Sequence, residues 1–325
     1  MSGKTGKSVY LFPGQGTRYK GAALDFLASG SAEVKRLFDL ASGIFGRNME
    51  SVLLDSDEHT MKRTDVAQMS LTLCGLAAAA FLGERGWKPS ACAGFSLGEY
   101  PAMVCAGVVS AEDGFRLIKA RGTAMQESAD GLRNAAGGDS SSAPGMTAVI
   151  GLSPEKAEEL IEKWRAEGLA DLYPANFNSP VQLVVSGTNT ALNEAERRFA
   201  ELGVKSMRLR VAGPFHSPLM SDAAVAFAPS LETVQFADPK IPLYSNVTGK
   251  RVESGAEAKR LALLQITAPV RWVNEQTAIG SAGGFDFCLE VGPGKVLRGF
   301  WKDTVEGIPC YGAGTLEEVG KIGEN

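Results

Sequence analysis

The sequence contains few residues of the kinds that bind metals or form disulfides. Its 325 residues include two histidines and five cysteines, and no C-x-x-C pair occurs. The number of cysteines is odd and most of them stand among apolar neighbours, which favours buried free thiols. Two distant histidines and scattered cysteines provide no metal-ligand spacing. We therefore expect neither a disulfide-stapled scaffold nor a metal site.

An excess of basic charge and a long apolar run are also lacking. The 33 Lys and Arg residues against 37 Asp and Glu residues give a net charge of −4, which argues against nucleic-acid binding. The longest apolar run, residues 71–83, is shorter than the roughly 18 residues of a membrane span and indicates a buried helix. Residues 9–12 are too few for a signal-peptide core. We expect a cytoplasmic protein without membrane association.

The sequence does contain alternating strand and helix signals. A chain of this length holds one large or two modest domains, at roughly 100–200 residues each. Apolar residues 8–12 and 91–95 favour strands and are followed by helical stretches, a pattern typical of a parallel sheet covered by helices. Residues 129–145 are rich in Gly, Ser and Ala without apolar periodicity. We predict a linker or mobile loop there.

Beyond this loop the order of elements changes. The patterns in residues 146–212 follow the order βαββαβ, which is typical of a ferredoxin-like subdomain. Strands alternating with helices resume after Gly213, with strands predicted at residues 242–245 and 286–291.

These patterns predict an α/β fold with two parts. The first is a discontinuous, α/β-hydrolase-like large domain with a parallel sheet, formed by residues 1–140 and 213–325. The second is an inserted ferredoxin-like subdomain, formed by residues 146–212.

Ser96 is the candidate nucleophile. Residues 94–98 read GFSLG, which matches G-x-S-x-G, and they stand where a predicted strand meets a predicted helix, as a nucleophile elbow requires. The flanking glycines permit a sharp turn, and the helix that follows directs backbone N–H groups toward developing negative charge. In a chain with 38 glycines, an ordinary strand-to-helix turn is the alternative.

His216 is the candidate base. A serine nucleophile needs a base, and the chain offers only His59 and His216. His59 lies in a polar stretch that we expect to be exposed, whereas His216 follows Gly213-Pro214-Phe215 at the return to the large domain. A purely structural role is the alternative for a single histidine.

Arg121 is the candidate binding residue for an anion. A helix over residues 111–126 places Arg121 on one face with Leu117, Ile118 and Met125. A guanidinium on an apolar stripe needs an anionic partner once it is buried, and its planar fork matches a carboxylate. A structural salt bridge and a side chain that reaches back to solvent are the alternatives.

Nucleotide binding and glycosylation are suggested by short motifs but are not expected. Gly14-Gln15-Gly16 follows a predicted strand, yet Tyr19 stands where G-x-G-x-x-G needs its last glycine. Asn246-Val247-Thr248 matches a glycosylation sequon, which a cytoplasmic protein would not use.

Five segments taken together resemble the malonyl-CoA:acyl carrier protein transacylase family. They are FPGQG at 12–16, GFSLGEY at 94–100, RGTAMQ at 121–126, GPFHSP at 213–218 and EVGPG at 290–294. Residues 176–180 and 265–272 also resemble segments of that family, in the same order. The resemblance covers nearly the whole chain.

The resemblance implies a role for each candidate. Ser96 would be the acylated nucleophile and His216 the base. The backbone N–H groups of Gln15 and Leu97 would form the oxyanion hole, and Arg121 would bind the malonyl carboxylate.

The resemblance also implies how the base is oriented and how the acyl pocket is lined. In this family a backbone carbonyl orients the histidine, and the matching position is Gln265. Phe215 matches the form of the motif associated with malonyl groups, since its ring leaves little room for an α-methyl. Phe95 replaces the histidine that commonly precedes the nucleophile and would line the pocket without donating a hydrogen bond.

The implied reaction is a ping-pong transfer of a malonyl group from malonyl-CoA to the phosphopantetheine thiol of an acyl carrier protein, in fatty acid or polyketide biosynthesis. No bound cofactor or metal is expected. Two other functions fit some of the residues. A serine thioesterase or hydrolase acting on acyl-CoA would use the same elbow and base, and a non-catalytic carrier-docking module would use neither.

Overall fold

The computed structural model describes residues 6–17, 19–138 and 142–322. Its strands are β1 (Ser8–Phe12), β2 (Pro89–Gly94), β3 (Gly145–Ile150), β4 (Leu172–Ser179), β5 (Gln182–Gly187), β6 (Lys205–Arg208), β7 (Tyr244–Ser245), β8 (Lys250–Arg251), β9 (Phe287–Glu290) and β10 (Cys310–Gly312). Its helices are α1 (Leu24–Ala28), α2 (Ala32–Phe45), α3 (Met49–Asp55), α4 (Glu58–Lys62), α5 (Thr64–Glu84), α6 (Glu99–Cys105), α7 (Ala111–Ala135), α8 (Pro154–Ala166), α9 (Asn189–Glu201), α10 (Ser221–Glu232), α11 (Gly255–Leu264), α12 (Trp272–Ala282), α13 (Val296–Thr304) and α14 (Leu316–Gly320).

The large domain is built around a parallel sheet. Its strands lie in the order β10-β9-β1-β2, and each neighbouring pair is parallel. Val9 and Leu11 on one face and Tyr10 and Phe12 on the other are all buried, because helices cover both faces of such a sheet. The predicted α/β fold class is confirmed. Strand β10 at the sheet edge was not indicated by the sequence patterns.

The predicted strand at residues 242–245 is shorter than expected. Only Tyr244 and Ser245 form β7, which pairs with β8 in a hairpin. Leu243 makes a single parallel bridge to Cys92 on β2. This bridge places the end of β7 beside the end of β2.

A second sheet is antiparallel and has its own core. Its strands lie in the order β4-β5-β3-β6, the order that a βαββαβ chain takes in a ferredoxin-like fold. Val149, Ile161, Trp164, Phe177 and Leu183 belong to a buried cluster separate from that of the large domain. This separate core supports the predicted subdomain of residues 146–212, whose bounds stay a prediction.

The small sheet is joined to the large domain by main-chain hydrogen bonds. The N–H of Phe177 donates to the carbonyl of Val270 at 2.8 Å, and the N–H of Val270 donates to the carbonyl of Ala175 at 2.8 Å. The segment that leads into α12 is thereby attached to β4.

Helix α5 is the central helix of the large domain. The apolar run at residues 71–83 lies within it, and Leu73, Ala77 and Leu82 are fully buried. By length and composition alone α5 is apolar enough to cross a membrane, but 83% of its most apolar 18-residue stretch is buried inside the fold. The prediction of a buried helix in this run is correct.

The predicted linker at residues 129–145 is wrong in its first part, because α7 continues to Ala135. Ala129 is buried against Gly213. Arg133 donates to Asp130 at 3.0 Å, one turn earlier, and to the carbonyl of Ala212 at 3.4 Å. Contacts with residues 212 and 213 therefore stabilise the last turns of α7, although this part of the sequence lacks apolar periodicity. Residues 139–141 of the predicted linker lie outside the described residues.

Candidate active site

Ser96 lies in a sharp turn directly after β2. Its φ is 54°, a left-handed backbone conformation that costs free energy for any residue other than glycine. A Cβ on Gly94 would lie 1.9 Å from the carbonyl oxygen of Gly98, and a Cβ on Gly98 would lie 2.2 Å from that of Phe12. Both glycines are required because the backbone approaches itself so closely. This geometry is that of a nucleophile elbow.

His216 contacts the serine and is oriented by a carbonyl group. The Oγ of Ser96 is 2.8 Å from Nε2 of His216, and Nδ1 of His216 is 2.9 Å from the backbone oxygen of Gln265. A carbonyl only accepts hydrogen bonds, so Nδ1 carries the hydrogen and the lone pair of Nε2 faces the hydroxyl. His59 is exposed on α4. The structure therefore brings only His216 to Ser96.

The loop that carries His216 is held from two sides. His216 has a φ of 56°. The hydroxyl of Ser217 donates to the carbonyl of Pro214 at 2.6 Å, and the hydroxyl of Ser186 on β5 donates to the carbonyl of Phe215 at 2.6 Å. The small subdomain thus helps to fix the position of the imidazole.

The environment keeps His216 neutral. Burial lowers its pKa to about 4, and the nearby charge of Arg121 lowers it in the same direction. The hydrogen bond to Gln265 opposes this shift but does not reverse it. At neutral pH the imidazole is therefore uncharged, and its Nε2 lone pair can accept a proton.

Arg121 is buried beside the nucleophile. Its side chain is 0% exposed. Nη1 donates to Oε1 of Gln68 at 2.7 Å, and Nη2 donates to Oε1 of Gln265 at 2.8 Å and to Oγ of Ser96 at 3.4 Å. Within residues 6–17, 19–138 and 142–322, no carboxylate forms an ion pair with it. The two alternatives, a side chain that reaches solvent and a structural salt bridge, are therefore not observed in the described part of the chain.

The loop after β1 lies against the elbow. A Cβ on Gly14 would lie 2.6 Å from the carbonyl oxygen of Phe95, which places Gln15 next to the turn. Leu97 follows Ser96 in a short 3₁₀ turn. The roles of the Gln15 and Leu97 N–H groups as an oxyanion hole stay predictions.

The two phenylalanines assigned to the acyl pocket have different surroundings. The ring of Phe95 packs against Trp272, with centroids 5.6 Å apart, and against Phe300, with centroids 6.3 Å apart. Phe215 is buried in the core of the large domain next to Gly213. That both line the acyl pocket stays a prediction.

Asn246 is a site residue that the sequence patterns show only as part of a sequon. Its Oδ1 accepts the N–H of Ser96 at 2.7 Å, and its Nδ2 donates to the carbonyl of Gly94 at 2.7 Å and to Glu275 at 2.6 Å. Its own N–H donates to Glu99 at 2.6 Å. One amide therefore spans the elbow. One sequence signal could have identified Asn246, namely its place directly after a predicted strand. The carboxyl ends of parallel strands meet at one edge of a sheet, where site residues lie.

Glu99 and Glu275 are buried acids beneath the elbow. Burial raises the pKa of Glu99 to about 7. Burial, together with the nearby Glu99, raises the pKa of Glu275 well above its usual range. Both carboxyl groups contact Asn246, and Glu99 also accepts from the side-chain amide of Gln265. These acids support the turn, and their raised pKa values reduce their negative charge at neutral pH.

Replacing Gly94 by Ala should collapse the elbow. The added methyl group meets the backbone at 1.9 Å, so we expect a loss of about 1–3 kcal/mol or more of stability and loss of acylation of Ser96. Thermal melting and intact mass would measure the two effects. Gly299→Ala is the matched control because nothing lies within 4 Å of its Cβ position. A Gly94→Ala variant that melts and acylates like the parent would contradict the close approach.

The pH profile of Ser96 acylation should reflect the lowered pKa of His216. In the folded state the protonated imidazole is disfavoured, so kcat/KM should stay level between about pH 5.5 and 8 and fall only toward about pH 4. Arg121→Ala should move the midpoint upward, because the guanidinium charge contributes to the lowering. A midpoint near the ordinary histidine value of about 6.5 in the parent would disprove this assignment.

The chain is similar to known proteins over most of its length. A family model described as "Acyl transferase domain" matches residues 9–319. A malonyl CoA-acyl carrier protein transacylase of Bacillus subtilis is 33% identical over 298 residues, covering 91% of this chain and 90% of the relative. The protein of that name from Escherichia coli K12 is 34% identical over 301 residues, with 92% and 93% covered.

Solved structures are similar over nearly the whole chain. A malonyl CoA-acyl carrier protein transacylase from Clostridium perfringens superposes with a TM-score of 0.88 at 30% identity, covering 97% of this chain and 96% of the other. A malonyl-transacylase in complex with a type II PKS acyl-carrier protein gives a TM-score of 0.87 at 30% identity, with 98% and 99% covered.

Proposed function

The chain belongs to the acyl transferase domain family, and we propose that it transfers a malonyl group from malonyl-CoA to the phosphopantetheine thiol of an acyl carrier protein, in fatty acid or polyketide biosynthesis. The observation that carries this proposal is a buried arginine without a carboxylate partner in the described part of the chain, 3.4 Å from the hydroxyl of a serine that contacts a neutral histidine. The serine forms an acyl ester with the histidine as its base, and the arginine selects an acyl group with a negative charge.

In the first half-reaction Ser96 Oγ attacks the thioester carbonyl carbon of malonyl-CoA. Its proton passes to Nε2 of His216, 2.8 Å away. The backbone N–H groups of Gln15 and Leu97 stabilise the oxyanion of the tetrahedral intermediate. The C–S bond then breaks, and the departing sulfur takes the proton from His216. The products are free coenzyme A and malonyl-Ser96.

In the second half-reaction the carrier's thiol replaces coenzyme A. His216 removes the thiol proton, and the thiolate attacks the ester carbonyl. The C–O bond to Ser96 breaks, and the serine oxygen recovers the proton from His216. Charge and protons balance over the cycle, and the scheme uses two substrates without a resident cofactor. We place this reaction in the cytoplasm.

The binding residues act on the acyl group and on the base. The fork of Arg121 makes two charge-assisted hydrogen bonds to the free malonyl carboxylate. The backbone carbonyl of Gln265 holds Nδ1 of His216 at 2.9 Å and stabilises the imidazolium without a charged partner. Phe215 and Phe95 line the apolar side of the acyl pocket.

Replacing Ser96 by Ala should abolish covalent acylation, because no other group supplies the ester oxygen. Intact mass after incubation with malonyl-CoA should show one malonyl adduct on the parent and none on Ser96→Ala. Ser51→Ala, at an exposed helical position, is the control and should acylate normally. A malonyl adduct on Ser96→Ala would contradict the assignment.

The fate of the adduct separates the candidate functions. Rapid discharge on addition of an acyl carrier protein supports transfer. Hydrolysis of the malonyl adduct at the same rate with and without the carrier supports a hydrolase. Absence of any adduct supports a docking module.

Replacing Arg121 by Ala should remove the preference for malonyl groups. Hydrogen bonds to charged groups contribute about 1.5–3 kcal/mol each, so the loss of two should lower kcat/KM for malonyl-CoA by about 10²–10⁴-fold. Acetyl-CoA has no free carboxylate, and kcat/KM for acetyl-CoA should stay level or rise. Arg121→Lys should recover part of the loss, since an ammonium lacks the planar fork. An equal decrease for both substrates would show that Arg121 has only a structural role.

A further inference from the structure

Gln68 on α5 is the partner of Arg121 that no motif identified. Its Oε1 accepts from Nη1 of Arg121 at 2.7 Å, and Gln265 accepts from the other arm at 2.8 Å. Both acceptors are neutral amides. We propose that Gln68 is a positioning residue that sets acyl specificity, because its amide oxygen holds the Arg121 fork in place without cancelling its charge. This inference rests on the proposed malonyl transfer.

The orientation of the Gln68 amide follows from its two partners. Its Nε2 donates to Sδ of Met125 at 3.3 Å, and sulfur there acts as a weak acceptor. Arginine has only donors. The reversed amide would set an NH₂ group against the guanidinium, so the oxygen faces Arg121. Gln68 is 1% exposed, so both hydrogen bonds lie inside the fold.

Close packing of two helices brings Gln68 within reach of Arg121. A Cβ on Gly122 of α7 would lie 3.0 Å from Cα of Asp65 and 3.5 Å from Cβ of Gln68, both on α5. The absence of a side chain at residue 122 therefore lets the helices approach at the turn that carries Arg121. A larger residue there would separate the amide from the guanidinium.

The charge of Arg121 is little compensated by its surroundings. The carboxylate with the clearest electrostatic influence on it is Glu99, whose oxygens accept from Asn246 and Gln265 instead. Burial raises the pKa of Glu99 to about 7, which reduces its negative charge at neutral pH. The ring of Tyr100 lies 5.7 Å from the guanidinium carbon, and Nε of Arg121 has no hydrogen-bond partner in the described part of the chain.

An unpaired buried guanidinium is costly, and a bound carboxylate relieves that cost. A glutamate in place of Gln68 would relieve it permanently, and the site would then gain nothing from the substrate's carboxylate. The neutral amide therefore holds the guanidinium in place without neutralising its charge, whereas an acid would do both.

The test compares kcat/KM for malonyl-CoA and acetyl-CoA in the parent and two variants. Gln68→Glu keeps the shape of the side chain and adds a negative charge. We expect kcat/KM for malonyl-CoA to fall by about 100-fold or more, while kcat/KM for acetyl-CoA stays level or rises. Gln68→Leu removes the acceptor without adding charge, and the malonyl-to-acetyl ratio should fall by about 10-fold. Thermal melting of each variant shows whether it is folded.

Gln276→Glu is the matched control. Gln276 is also a fully buried helical glutamine, and it donates to the carbonyl of Asn178 instead of contacting Arg121. Its replacement should leave the malonyl-to-acetyl ratio unchanged. An unchanged ratio in folded Gln68→Glu, or in Gln68→Leu should the acidic variant not fold, would overturn the inference. A parent enzyme that shows no preference for malonyl-CoA would instead contradict the proposed function.

Discussion

The buried positive charge of Arg121 is the constraint on which the rest of the site depends. It lies where α5, α7 and the segment at Gln265 meet, and it is anchored at 2.7 and 2.8 Å by amide oxygens from two of them. Burial and the same charge together lower the pKa of His216, so Arg121 helps to keep the imidazole neutral. Gln265 links the two residues, because its side chain holds the arginine and its backbone carbonyl holds the histidine.

The second constraint is the strained turn at Ser96. Its left-handed φ of 54° persists because the surroundings determine it from several directions. Asn246 spans the turn from Gly94 to Ser96, and the close backbone approach at Gly94 and Gly98 excludes any side chain there. The two buried acids that contact Asn246 complete its hydrogen bonding. Ser96 is thus positioned by residues that do not contact its hydroxyl oxygen.

The small subdomain contributes to the site as well as to the shape of the protein. Ser186 on β5 holds the carbonyl that precedes His216, and β4 exchanges main-chain hydrogen bonds with Val270. The loop that carries His216 and the segment after Gln265 are therefore both attached to the same antiparallel sheet. Movement of this sheet would displace His216 relative to Ser96.

Local sequence patterns predicted the α/β class, the elbow at Ser96, the choice of His216 over His59, and the apolar helix face that carries Arg121. Each depends on a local pattern or on a scarce residue type, which a single chain displays directly. Only the packing of the folded chain brings Gln68 to Arg121 and Asn246 to Ser96, across 53 and 150 residues of sequence. It also decided the last turns of α7, which the returning chain at Ala212 stabilises. Local periodicity does not encode such partners, because hydrogen bonds between distant segments depend on how the helices and sheets pack.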